Sequence, residues 1–472
     1  MTLAAAYASS IGGLAAVATW ADATATNIAN VDRPGYARRS VTNTTGLGGV
    51  TEAVISTERD ATVERIHRLE IGRLGRQQAV AELLSLHTAR LGQPGDASGL
   101  TARLSALETS MIQMSTAPED AASRSAVVDA AVTLAETVNA IAGSLDEVEA
   151  VAINRIDQSV VQMNRDLQRI AQINAHLSRG TLDAPQRASF EDELAGVADR
   201  LARLGDIRTT RGAGGGTVAF TSTGTVLVSG SRAEEVAFDA TAGTLTAVVG
   251  MTEVDVTPTV AGARGPAQGR LSGEFAVLLD DVPRMRSQID AFAAGLVHAF
   301  EGADTTRAAG QPGLFTDSGA SPTAPYDGLA SRLSVNDVVQ PDGSGQTWRL
   351  RDGFGASAEG PAGDPTLVLA YVDALTDRRA FSTAEGLPTA ATLGGHAAAL
   401  VTAHHAARVT AEDRSESIAA GATAIGTARR SATGVDVDAE LHALSRLQQS
   451  YRANSEAIRA ISDMLDTLLA AV

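Results

Sequence analysis

The chain of 472 residues has no cysteine, no lysine and only 3% aromatics: 2 Trp, 5 Tyr and 9 Phe. Without cysteine there are no disulfides, thiolate zinc sites, iron–sulfur clusters or Cys nucleophiles. Without lysine there is no P-loop, whose lysine holds the nucleotide phosphates. All 38 basic residues are therefore Arg, and the 55 acidic residues leave a net charge of −17. Nucleic-acid binding relies on clustered positive charge that releases counterions, so no nucleic-acid partner is expected. The first 20 residues are apolar but have no basic n-region, since the first Arg is Arg33, and they do not read as a secretory signal. No run of 18 apolar residues is free of polar interruption, so no membrane insertion is expected.

What is present is 44% hydrophobic content with abundant Ala and 45 Gly. Such small side chains suit closely packed helices, and the length suffices for two to four domains. Leu3, Tyr7, Ser10, Leu14, Val17, Ala21, Thr24 and Ile28 alternate steps of four and three, the seam of a coiled coil. That helix ends at Asn30-Val31-Asp32-Arg33-Pro34-Gly35, where Pro removes a donor and Gly permits a turn. Helical patterning covers 59–92, 97–115, a long stretch from Pro118-Glu119-Asp120 to about Leu177, and 186–204.

The texture changes at Arg211. Gly212 to Gly216, followed by Val218, Phe220, Val226, Val228, Val236 and Phe238, reads as short strands and hairpins. Helix returns at 273–300, residues 310–390 read as loop and strand, and helix resumes from Thr392 with a break at Thr433-Gly434. At the C-terminus Leu444, Leu447, Tyr451, Asn454, Ile458, Ile461, Leu465, Leu468 and Val472 keep strict three/four alternation, with Leu441 and Val437 upstream. One polar Asn in an apolar seam is a device that sets register.

No catalytic constellation emerges. His396, His404 and His405 read as an exposed helix face, with Glu412 eight residues beyond His404. Asp436, Asp438 and Glu440 alternate like a calcium loop but lack its Gly and distal Glu, and acids at a helix start have a dipole rationale. The glycine cluster does not form GxGxxG, and GxSxG and HExxH are absent. No metal, cofactor or enzymatic activity is expected.

The run Thr26-Asn27-Ile28-Ala29-Asn30-Val31-Asp32-Arg33-Pro34-Gly35-Tyr36-Ala37-Arg38 resembles the N-terminal signature of bacterial flagellar rod, hook and hook-associated proteins. Arg446-Leu447-Gln448-Gln449-Ser450-Tyr451-Arg452-Ala453-Asn454 and Asp463-Met464-Leu465-Asp466-Thr467-Leu468-Leu469 resemble the closing helix of that family. Departures are small: Thr26 stands where a second Asn is common, and Leu447 where an aromatic is frequent. Pro118-Glu119-Asp120 with Arg124 and Val127, the helix through Ile156 and Asn174, and Gly434-Val435-Asp436-Val437-Asp438-Ala439-Glu440 are similar to the hook-associated protein 1 family, found at the hook–filament junction.

The resemblance implies a mainly α fold with a smaller β part. The terminal helices would pair as a coiled coil, with a central helical bundle, a β-hairpin region and a β-rich outer domain. The expected division is 1–58 and 434–472 as the two halves of an inner coiled-coil domain. Between them come 59–210 as helical middle domain, 211–272 as β-hairpin region, 273–309 as returning helix, 310–390 as loop and β-rich outer region, and 391–433 as a middle-domain helix. The implied function is a secreted structural subunit of the flagellum, passed unfolded through the type III flagellar export channel and assembled as the hook–filament junction ring. The implied partners are the flagellar hook protein, a second hook–filament junction protein, further copies of itself and an export chaperone. Its expected assembly interface is Leu3, Tyr7, Leu14, Val17, Asn27, Ile28, Asn30, Pro34, Gly35, Tyr36, Leu441, Leu444, Leu447, Tyr451, Asn454, Ile458, Ile461, Leu465 and Leu468. A sibling hook or distal-rod protein is the nearest alternative, and a secreted coiled-coil effector or adhesin a more distant one.

Overall fold

A computed structural model describes residues 3–33, 35–46, 49–57, 59–93, 95–179, 182–212, 216–258, 268–381 and 386–470. The first helix, α1 (Leu3–Ala29), leads into a hairpin of β1 (Arg39–Gly46) and β2 (Gly49–Thr57) in antiparallel register, Arg39 opposite Thr57. The hairpin has no counterpart in the sequence reading of 1–58. Its apolar positions, Val41, Val50, Ala53, Val54 and Ile55, do not alternate, so no strand period shows.

Three acidic caps start the central helices. Asp60 accepts the Thr62 and Val63 amides at the start of α2 (Ala61–Leu91). After α3 (Leu100–Thr116), Asp120 accepts the Ser123 amide to open α4 (Ala121–Leu177), the longest element. Asp183 and Gln186 form a capping box at α5 (Ala184–Leu204). The apolar face of α4 runs unbroken from Val127 to Ile173 and is buried along its whole length. Although part of α4 is apolar enough to cross a membrane, that face packs into the protein.

The β part follows as β3 (Ile207–Arg211), β4 (Thr217–Thr221), β5 (Val226–Ser229), β6 (Arg232–Ala233), β7 (Val236–Asp239), β8 (Thr244–Val249) and β9 (Thr252–Asp255). Two antiparallel sheets result, ordered β3-β4-β5-β6 and β7-β8-β9. Leu227, Val228, Leu245 and Ala247 of these strands close a core with Ile156 to Ile170 of α4 and with Val197 and Leu201 of α5.

The chain then returns through α6 (Arg270–Ala276), a π turn over 277–281, and α7 (Val282–Ala303). Short elements follow: β10 (Phe315–Asp317), α8 (Leu329–Arg332), β11 (Leu333–Val335), α9 (Arg349–Asp352), α10 (Thr366–Thr376), β12 (Arg379–Ala380) and β13 (Ala390–Ala391). Last come α11 (Leu393–Thr433) and α12 (Val437–Ala470).

Residues 310–390 therefore hold two short ladders, β10-β11 and β12-β13, together with helix α10 over the Leu367–Leu369 run. Phe315, Leu329 and Tyr371 from this segment are fully buried in the same core as α3, the first half of α4 and α7. The segment is thus anchored in the bundle by large side chains whose partners lie on distant helices, which composition alone does not reveal.

Candidate assembly site at the paired termini

Helices α1 and α12 pack side by side. They run antiparallel, since Gly13 meets Asn454 while the chain just beyond α1 meets Glu440 at the start of α12. A Cβ on Gly13 would sit 3.1 Å from the Asn454 amide, so the missing side chain sets how closely the helices approach. Ala16 and Ala23 are buried on α1, and Leu447 and Ile461 on α12. Small residues on one helix thus receive larger ones from the other.

At the foot of the pair the chain folds back on itself around one side chain. Asn27 Oδ1 accepts the Tyr36 hydroxyl at 2.8 Å and the Arg39 amide at 2.9 Å, and its Nδ2 donates to the Arg39 carbonyl at 3.0 Å. Asn27 is 1% exposed, so these bonds form out of water. Gly35 makes the turn at φ +81°. Burial pushes the Tyr36 phenol up to about 12, more than the nearby Arg39 guanidinium lowers it.

The returning strand then ties both chain ends to the body. Arg38 donates its amide to the Thr433 carbonyl at the end of α11, at 2.8 Å, and its Nε to Glu440 Oε1 at 2.7 Å. Glu440 is buried on α12, so this contact joins the N-terminal signature to the C-terminal helix across 402 residues of sequence. On the other side Asp192 of α5 faces Arg59 at 2.5 Å and Arg39 at 3.7 Å, while Arg59 also donates to the Gly35 carbonyl at 3.1 Å. Burial lowers the Arg59 pKa, but Glu64 and Asp192 outweigh it and hold the guanidinium above its ordinary value.

The ionic cluster continues into the body. Asp199 of α5 receives Arg68 of α2 at 2.8 Å and Arg429 of α11 at 2.6 Å. Burial raises its carboxyl, yet the two guanidiniums hold it below the usual range. The arrangement can fasten helices and contains no nucleophile–base pair. No group of three His, Cys, Asp or Glu among the described residues is placed to hold a metal ion.

Comparison with known proteins shows what parts of the chain are similar to. The profile for the flagellar hook-associated protein FlgK helical domain matches residues 90–313. That for the flagellar basal body rod FlgEFG protein C-terminal region matches 431–471. Both matches are to flagellar proteins, and they fall on the long helical middle and on the closing helix. A search of curated protein sequences returned no match. Among solved structures, the flagellar hook junction protein FlgK from Burkholderia pseudomallei aligns at 18% identity with a TM-score of 0.43. The alignment takes in 53% of this chain and 46% of that one, about half the length of the relative.

The structure sorts the expected interface residues into three groups. Asn27, Gly35 and Tyr36 meet in the fold-back, and Asn30 caps the end of α1 by donating to Thr26. Leu447, Asn454 and Ile461 lie seven residues apart on one line of α12 and face α1, with Leu444, Ile458, Leu14, Val17 and Ile28 half-buried beside them. Tyr7, Leu441, Tyr451 and Leu465 are exposed, Tyr451 at 54%. The paired face of α1 is correspondingly rotated from the expected seam onto Gly13, Ala16, Ala23 and Asn27, because small residues admit the partner helix where Tyr7 and Leu14 would hold it away. Pro34 and the side chains of Leu3 and Leu468 lie outside the described residues.

The histidines require a correction. His396, His404 and His405 were expected on an exposed face, and all three are buried. Helix α11 lies antiparallel against α2, which turns that face inward. His404 Nε2 donates to Gln288 Oε1 at 2.8 Å, so the neutral His404 accepts at Nδ1 from His87 Nε2 at 2.8 Å, and His87 Nδ1 lies 2.7 Å from Ser144 Oγ. Desolvation pushes His87 down to about 4 and His404 well below its ordinary value. Glu412 pairs with Arg408, and Asp436 accepts the Ala439 amide as a helix cap.

Sequence reasoning also missed Asp192, which faces Arg59 and Arg39 beside the fold-back. Its signal was an acid on the apolar stripe of α5, in step with Ala188, Ala195 and Ala198.

Proposed function

We propose that this chain is the structural, non-enzymatic subunit of a ring at the hook–filament junction. It passes unfolded through the flagellar type III export channel, escorted by an export chaperone, and folds into place outside the cell. The flagellar hook protein lies below it, the second hook–filament junction protein above, and further copies of the chain beside it. What supports the reading is the terminal pair. The fold-back fastens both ends into one unit, while Tyr7, Ile11, Trp20, Leu441, Tyr451 and Leu465 stay exposed on its two helices. Apolar side chains on both helices of one pair suit burial against neighbouring subunits, and a head-to-tail contact of this kind closes into a ring or a tube.

A sibling hook or distal-rod protein shares the terminal helices. The long helical middle, matched by the hook-associated helical-domain profile over 90–313, favours the junction reading. A deletion strain examined by electron microscopy tests it. Hooks without filaments, with flagellin shed to the medium, is the expected outcome; intact filaments overturn the reading.

A further inference from the structure

Among the described residues β3 and β6 end the four-stranded sheet and β7 and β9 the three-stranded one; β3 and β9 are the edges whose charge stands out. The ladder pattern shows which backbone groups each edge presents. Ser222 N–H donates to the Asp206 carbonyl at 3.1 Å, and Gly212 N–H to the Gly216 carbonyl at 2.7 Å. Both are directly opposed pairs in the β3-β4 register, so Arg208 and Thr210 turn their backbone groups towards β4. Thr209 and Arg211 therefore point theirs outward. On the other sheet Val256 N–H donates to the Leu245 carbonyl at 2.8 Å, which by the same alternation leaves Glu253 and Asp255 pointing outward from β9.

The two edges carry opposite charge. Beside β3 lies an open groove of about 940 Å³ between α2, α5 and the strand. Arg59, Arg65, Arg68, Arg208 and Arg211 line it against Glu64, Glu191 and Asp206. Those acids are already engaged, Glu64 by Arg59 and Arg68 and Glu191 by Arg211. Arg208 meets Asp206 only at 3.9 Å, and Arg65 has no hydrogen bond or ion pair among the described residues. Arg59 and Arg68 are also held by Asp192 and Asp199, so the cations of the groove without a close acid are Arg65 and Arg208. Edge β9 reads Thr252-Glu253-Val254-Asp255, follows the fully exposed Met251, and has Glu253 exposed and without an ion pair.

We propose that β9 of one copy of this chain adds as a strand to the β3 edge of the next, with its acids in the arginine groove. The outward groups of the two strands are in step, since both repeat every second residue. An antiparallel pairing sets Glu253 opposite Arg211 and Asp255 opposite Thr209. Pairing β9 with a second β9 brings Glu253 and Asp255 against like charges, and pairing β3 with β3 does the same to Arg208 and Arg211. Of these three pairings the heterologous one matches charge, and heterologous contacts are those that build rings and tubes. The inference rests on the ring reading above and adds a lateral contact to it.

The absence of cysteine gives a clean test. A Glu253→Cys/Arg211→Cys variant is expressed in the deletion strain, and sheared flagella are mildly oxidised and run without reductant. A ladder of dimers, trimers and higher species is expected, with neither single-cysteine variant giving it. Only monomer from flagella with normally attached filaments overturns the contact and leaves the ring reading intact. Intact filaments in the uncomplemented deletion strain overturn that reading itself. In parallel, Glu253→Arg is expected to lower the number of attached filaments about tenfold, and adding Arg211→Glu to restore it to within about twofold. Unchanged attachment in Glu253→Arg, or no recovery in the double reversal of a folded protein, also overturns the contact.

Discussion

The Tyr36 hydroxyl and the Arg39 amide converge on one oxygen, Asn27 Oδ1, at 2.8 and 2.9 Å. One amide side chain thereby closes a twelve-residue loop, joins helix α1 to strand β1 and positions Arg38 between them. The terminal signature works as a backbone lock that fixes how helix α1 leaves for strand β1.

Asn27→Ala removes one oxygen that accepts two hydrogen bonds, and one donor, from a site 1% exposed and leaves their partners unpaired. A local loss of about 2–4 kcal/mol is expected. Amide exchange at Arg39 should rise sharply while amides in the middle of α4 keep their protection. Equal exchange at Arg39 in both proteins would remove Asn27 from its central role.

Arg38→Ala leaves Glu440 buried on α12 with its ionic partner gone, while the Arg38 amide still reaches Thr433. The expected cost is about 1–3 kcal/mol, confined to the junction of α11 and α12. Limited proteolysis should then cut near residues 433–440 in the variant before it cuts the wild type. Glu440→Gln keeps a hydrogen-bonding group and should be milder.

Two positions of the C-terminal seam separate folding from assembly. Ile461 is 7% exposed against α1 and Leu465 is 40% exposed. Ile461→Asp places a charge in the helix pair and should release α12 in the isolated protein, seen as loss of helical circular dichroism at its end. Leu465→Asp should leave the isolated protein unchanged in circular dichroism and thermal unfolding, yet abolish filament attachment. Normal attachment with Leu465→Asp would exclude that face from the interface.

The His87–His404 pair makes stability depend on pH in a defined direction. Both are held neutral by burial, His87 with its pKa lowered from 6.5 to about 4 and His404 lowered well below 6.5. The unfolded chain binds protons in this window and the folded chain does not, so the contribution is complete above pH 6.5 and is lost as pH falls from 6.5 towards 4. Each pH unit within the window removes up to about 1.4 kcal/mol per histidine. Thermal unfolding at pH 7.5 and pH 5 should show the drop, and a His87→Leu/His404→Leu variant should show less of it. The same drop in that variant would assign it to other groups.

Several features are legible in the chain because they are local. Asp60, Asp120 and Asp183 precede helices they cap, and the Gly-rich and Thr-rich texture after Arg211 marks where helix gives way to strands. The turn at Gly35 follows from neighbours in sequence. By contrast, hairpin β1-β2 has too little apolar alternation to announce itself, and Leu367–Leu369 fits a strand or a helix until Tyr371 is seen to enter the bundle core.

By itself the sequence settled the mainly helical class, the positions of the long helices and the presence of a seam at each end, since caps and periodicity act over one or two turns. Only the tertiary structure decided which side of each seam is used. That choice depends on how near two helices can come, and Gly13, Ala16 and Ala23 select the line of Leu447, Asn454 and Ile461. It also decided that the histidines of α11 are core residues and that Arg38 answers Glu440 across 402 residues. Burial and long-range charge pairing are properties of packed neighbours, and no local pattern in a chain specifies who those neighbours are.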